Sequence, residues 1–186
     1  MDKKGVILAS AQKLFYQDGY KKTKIEDIAE DAGVSKVTIF KYFKNKENLG
    51  HTVIIKAIKD GYTDFQEIID NDQLDFKEKV KAMIHAKYAG AAVIHPDFAN
   101  FMLKSMREND GKNEVMIAYN EGKEYFWHDF FEQGRKSGEL RPEISNRTIL
   151  IYIDVLMKYV TNMDGTTSTD TLEFIDLFFH GIMKND

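Results

Sequence analysis

Cysteine is absent from the 186 residues. That excludes disulfides and thiolate metal sites and suits a reducing compartment. Proline occurs only twice, at Pro96 and Pro142, so long helices are permitted almost throughout. No stretch approaches the ~18 consecutive apolar residues of a membrane span. The first ten residues, MDKKGVILAS, lack the apolar run of a signal peptide. A cytoplasmic location without a membrane partner is expected. The chain also lacks H-E-x-x-H, the Walker glycine loop, G-x-S-x-G and G-x-G-x-x-G. No catalytic residue, metal or cofactor is therefore expected, and an all-α enzyme is a poor reading.

What is present is enough apolar side chain, 43% of residues, to bury a core. The net charge of −4 argues against a nucleic-acid partner until its distribution is read. Residues 1–48 hold ten lysines against seven acids, whereas the remainder holds 16 basic residues against 23 acids. A basic head on an acidic body suits a protein that presents only its head to phosphates.

Apolar positions recur at helical spacing throughout, and no segment sustains two-residue alternation. The expected fold is all-α with about nine helices. The first spans Lys3 to Asp18 and ends at Gly19. TKIE, residues 23–26, reads as a capping box opening the second. Gly33 separates it from a third helix, capped by Ser35 and reaching Tyr42. Asn45 caps a long fourth helix to about Asp70. DFKE, 75–78, is a further capping box, opening a helix to His95. Pro96 sits where a first helical residue is expected. Helices from Asn113 to Ser137 and from Ser145 to Met163 follow, and Asp170 to Glu173 caps the last.

The stretch DIAEDAGVSKVTIFKYF, starting at Asp27, carries the most chemistry. Ile25, Ile28, Ala32, Val34 and Ile39 fall at internal positions, Ala29 is small where two helices cross, and Gly33 occupies the tight turn. This is a helix-turn-helix spacing, whose second helix enters the major groove of DNA. Phe40 and Phe43 are expected to point into the small core with Leu14 and Phe15. Lys36, Val37, Thr38, Lys41 and Tyr42 remain on the free face. Thr38 suits a base edge or a thymine methyl, and Val37 offers apolar contact. Lys36, Lys41 and Lys46 suit phosphates, and Tyr42 can hydrogen-bond one. Asn45 and Lys46 open the fourth helix, Thr23 and Lys24 the second, where free N–H groups favour phosphate.

ILASAQKLFYQDGYKKTKIEDIAEDAGVSKVTIFKYFKNKENL resembles the N-terminal signature of tetracycline-repressor (TetR) family regulators. It has the LF…GY end of the first helix, a threonine before the second, IA..AGVS, an aromatic pair in the third, and F.NKE.L opening the fourth. The resemblance implies an all-helical homodimer that binds a palindromic double-stranded DNA operator and releases it on binding a small molecule. It places Thr23, Ser35, Lys36, Thr38, Tyr42 and Lys46 on DNA-contacting positions. Val37 stands where the family often has glycine or another small residue.

The expected division is a helix-turn-helix domain over 1–48 and a ligand-binding and dimerisation domain over 49–186. In the last helix the polar residues Glu173, Asp176, His180 and Lys184 form one narrow strip, and an apolar arc that wide exceeds what a monomer's surface helix needs. The preceding helix is similar, with Ile149, Ile153, Leu156 and Val160 on one side and Ile151, Val155 and Tyr159 on another. Ile149, Ile153, Leu156, Val160, Ile175, Phe178, Phe179 and Ile182 are the expected dimer interface. Between head and interface, methionines and aromatics accumulate. Met83, Tyr88, Phe98, Met102, Met106, Tyr119, Phe126, Trp127 and Phe130 are candidate contacts for a small, mostly apolar effector. The expected function is ligand-responsive repression of transcription; the alternative is a helical adaptor whose head docks a protein rather than DNA.

Overall fold

The computed structural model describes residues 2–107, 113–162 and 168–183. Among them the fold is all-α. Its helices are α1 (Lys3–Asp18), α2 (Ile25–Asp31), α3 (Lys36–Tyr42), α4 (Lys46–Ile69), α5 (Phe76–Ala92), α6 (Pro96–Arg107), α7 (Glu114–Lys136), α8 (Asn146–Asn162) and α9 (Ser168–Ile182).

Most helix starts are set by short polar side chains. Asp2 accepts the Gly5 amide at 3.1 Å, Asn45 that of Asn48 at 2.7 Å, and Ser145 that of Thr148 at 3.2 Å. At α5 the box is reciprocal: the Asp75 amide donates to Glu78 at 2.9 Å and the Glu78 amide to Asp75 at 2.7 Å. Each such cap satisfies an otherwise orphaned N–H and contributes about 1 kcal/mol. The start of α2 differs from the sequence expectation. Thr23 turns inward and donates its hydroxyl to the Gly19 carbonyl at 2.8 Å. Asp27 takes over the capping role, accepting the Lys24 amide at 2.7 Å. Two further boundaries move. α5 stops at Ala92, leaving His95 to accept the Asp97 amide at the head of α6. α9 starts at Ser168, so Asp170 lies in its first turn rather than before it. Met163 lies outside the described residues.

The chain divides into two compact units, Met1–Lys59 with Val93–Tyr119, and Asp60–Ala92 with Asn120–Asp186. In the first, α1, α2 and α3 pack on one another around Ile7, Phe15, Ile28, Ile39 and Phe43, joined by Leu49 and Val53 of α4, Phe98 of α6 and Val115 of α7. Phe98 stacks on Phe15 with ring centres 5.2 Å apart. The start of α6 also grips the α1–α2 turn through the main chain. The His95 amide donates to the Tyr16 carbonyl at 2.9 Å, and the Lys21 amide donates to the Asp97 carboxylate at 2.7 Å. Gly19 lies between them with φ 86°, and a methyl group added there would meet His95 Nδ1 at 2.8 Å.

In the second unit α5 and α8 both pack on α9, around Ile69, Phe76, Phe126, Phe130, Phe131 and Leu140. The buried Lys79 ammonium donates to the Ile69 carbonyl at 2.5 Å and to Gln133 at 3.0 Å, satisfying a carbonyl at the buried C-terminal end of α4. Arg135 ties the α7–α8 turn, donating to Asn146 and to the carbonyls of Arg141 and Ile144.

The expected dimer-interface residues are placed otherwise. Ile149, Ile153, Phe178, Phe179 and Ile182 are buried within this same unit. The side chains of Leu156, Val160 and Ile175 lie outside the described residues. The exposed apolar groups are instead Ile151, Tyr152 and Val155 of α8 and Leu177 of α9. Residues two apart lie roughly 200° apart around a helix. Burying Ile149 and Ile153 therefore turns Ile151 and Val155 outward.

Candidate nucleic-acid interface

α3 is short, and its inner edge is fixed by Ile39 and Phe43, both buried. Ser35 holds its start, accepting the Thr38 amide at 3.1 Å. The turn before it requires Gly33 at φ 63°, where a side chain would be strained. With Ile39 inward, the 100° step per residue places Val37 and Lys41 farthest from the core. Val37 is 78% exposed. Phe40 departs from expectation. It lies one residue from Ile39, hence ~100° around the helix, and is 45% exposed. Tyr42 is exposed to a similar degree on the opposite flank.

The polar residues of the face are partly committed within the head. The Thr38 and Ser35 hydroxyls lie 2.9 Å apart and share a hydrogen bond. Lys36 pairs with Glu26 of α2, and that hydrogen bond holds the Glu26 carboxyl below its usual range. Lys13 pairs with Asp31 at 2.5 Å. Lys24, Lys36, Lys41 and Tyr42 are exposed. Thr23 is not: its side chain is buried and its hydroxyl ties the turn to the end of α1, so it is no exposed phosphate donor. Lys46 lies over the Tyr20 ring, 4.4 Å from its centre. Burial lowers the Lys46 pKa; burial and the nearby Glu47 charge push Tyr20 up to about 12. Tyr20 in turn stacks on Phe101 of α6 at 3.7 Å. From 35 to 46 the chain carries four lysines and no acid, so the rim of this face is positive around an apolar and hydroxyl-bearing centre. A groove-sized helix with such a rim matches the phosphate contacts and base-edge contacts of duplex DNA.

The candidate effector contacts are divided between the two units. Phe98, Met102 and Met106 belong to the core of the first unit. Met83, Phe126, Trp127 and Phe130 belong to that of the second. Tyr119 closes the chain segment of the first unit, and the side chain of Tyr88 lies outside the described residues. A cavity of about 450 Å³ in the second unit is lined by Arg135, Gly138, Leu140, Pro142, Ser145 and Asn146, none of them in that set.

The family model described as bacterial regulatory proteins, tetR family, matches residues 7–52, the span that builds this face. Over this segment the chain is similar to TetR-family regulators. It is 23% identical over 139 residues to the HTH-type transcriptional repressor KstR2 of Mycolicibacterium smegmatis, covering 74% of this chain and 67% of the relative. It is 36% identical over 86 residues to the uncharacterised regulator YhgD of Bacillus subtilis, covering 46% and 44%. The chain thus spans between under half and two thirds of these relatives. The crystal structure of the regulator FadR from Bacillus subtilis in complex with stearoyl-CoA superposes with a TM-score of 0.62 at 20% identity, over 95% of this chain and 96% of that one. The relatives and solved structures that it resembles are transcription regulators. Among the described residues, no helix is long and apolar enough to cross a membrane.

Proposed function

We propose that this regulator represses transcription by binding a palindromic operator as a homodimer, and that a small, mostly apolar effector releases it. The observation that carries the reading is the face of α3, with Val37 and Lys41 outermost and four lysines without an acid from 35 to 46. Residues 1–48 serve as the DNA-binding part and 49–186 as the ligand and dimer part. The exposed Ile151, Tyr152, Val155 and Leu177 supply the self-complementary patch of a two-fold dimer. Two heads about 34–36 Å apart then enter successive major grooves. The repressor KstR2 and the stearoyl-CoA complex of FadR support repression and an effector with a long apolar portion. The methionine- and aromatic-rich interior around Met83, Phe126, Trp127 and Phe130 suits that portion. The effector must bind the non-DNA geometry more tightly, since differential affinity alone moves the equilibrium; typical coupling of ~1–3 kcal/mol changes operator affinity about 5–150-fold.

The test is binding to operator sequences selected from random duplexes, titrated against salt. Lys41→Ala should weaken all duplexes alike and lower the salt slope by about one. Ile151→Glu with Val155→Glu should give monomers by light scattering and lose operator affinity. Salt-insensitive binding to every sequence would refute DNA recognition and favour the adaptor reading.

A further inference from the structure

The outermost surface of α3 sets the apolar Val37 beside Lys41, and the hydrogen-bonding groups of Thr38 and Lys36 are engaged within the head. Val37 is the most exposed large hydrophobic group of the head, and Phe40 adds nearly half its surface beside it. The Thr38 hydroxyl is shared with Ser35, and the Lys36 ammonium is held by Glu26. Neither Val37 nor Phe40 contributes to the core, since Ile39 and Phe43 fill the inner edge of the helix. Side by side and outside the core, the two groups form a small apolar patch rimmed by lysines, the kind of surface that marks a contact site. In the major groove the thymine 5-methyl group is the distinctive apolar base feature, and it is read by apolar contact from side chains such as Ala, Phe or the methyl of Thr. The lysines around the patch match the phosphates flanking such a groove.

We infer that Val37 and Phe40 form a paired thymine-methyl reader, so that specificity rests on apolar contact with at least two thymines in each half-site. This inference rests on the DNA-binding reading above. It extends the interface to Phe40 and gives Val37 a defined base feature. Val37, nearest the helix start and farthest from the core, reaches the deeper methyl; Phe40, on the flank, covers a neighbouring one.

The experiment uses the full chain and synthetic duplexes of the sequence it selects from random DNA. Each thymine is replaced singly by deoxyuridine, which removes only the methyl group. At two or more positions per half-site, affinity should fall about fourfold, the value of burying one methyl-sized group. The same replacement should cost nothing further in Val37→Ala at one position, and in Phe40→Ala at another. Both side chains are exposed, so each variant should keep the wild-type melting temperature; Val37→Thr, which keeps a methyl at similar volume, should retain part of the discrimination. Uracil substitutions without effect, uracil penalties unchanged in both variants, or selected half-sites without thymine would each overturn the methyl reader. In those outcomes strong, salt-dependent binding to the selected sequence would leave the operator reading standing. A protein that binds no duplex would remove both.

Discussion

Phe98→Ala tests whether α6 is part of the DNA-binding head. Phe98 is fully buried and touches three rings of that unit: Phe15 at 5.2 Å, Tyr16 at 5.7 Å and Phe101 at 6.1 Å between centres. Truncation removes roughly 150 Å² of buried apolar surface, worth about 4 kcal/mol at ~25 cal/mol per Å². Lost ring packing adds ~0.5–1.5 kcal/mol. The surrounding helices relax into part of the void and recover some of this, so about 4 kcal/mol is expected, within the range of about 3–5 for buried phenylalanines. That is a large share of the ~5–15 kcal/mol of a typical domain. Urea unfolding followed by circular dichroism gives the total. Amide exchange along Lys3–Asp18 reports whether the loss falls on the head. A change below about 1 kcal/mol, or unaltered exchange in α1, would refute Phe98 as a head-core residue and return it to the candidate effector contacts. Phe98→Leu should recover most of the stability.

Glu26→Gln should free Lys36 for phosphate and raise affinity for any duplex a few fold at low salt, a gain that disappears at high salt because the pair is exposed. Competition binding at two salt concentrations checks it, and an unchanged low-salt affinity would show that the pair does not compete with DNA. The Asp97 carboxyl is held below its usual range, chiefly by the Lys21 amide. Folding therefore favours the carboxylate. Its contribution is complete above the ordinary carboxylate value of about 4 and fades as pH falls through the lower folded value. Asp97→Asn should lower the melting temperature at pH 7 and converge on wild type in strong acid; a gap independent of pH would assign the effect to packing.

How much was legible in the sequence follows from what each signal encodes. Caps are local, so Ser35, Asn45 and the Asp75–Glu78 box could be read directly, as could Gly33 and Pro96. The start of α2 failed for a tertiary reason. Thr23 and Asp27 both suit a cap, and the Gly19 carbonyl, supplied by the preceding turn, decided between them by taking the Thr23 hydroxyl. Phe40 failed because hydrophobicity was taken as inward, although a seven-residue helix anchored by Ile39 and Phe43 has no third inward place. Periodicity named two apolar sides of α8 but not which one its own unit would cover. The aromatic and methionine set looked like one lining in a linear chain. Packing divides it, because α6 joins the head while α5 packs in the other unit.

The grip of α6 on the α1–α2 turn also sets a schedule. Asp97 lies 76 residues after the Lys21 amide it holds, and Phe98 arrives just behind it. At ~5–20 residues per second, synthesis reaches them about 4–15 s after the turn has been made. During that interval Phe15 waits for its stacking partner, and α5, which belongs elsewhere, is made first. The helix-turn-helix is encoded first and finished late. The newborn head completes its apolar core only after the helices that follow it have begun to be made.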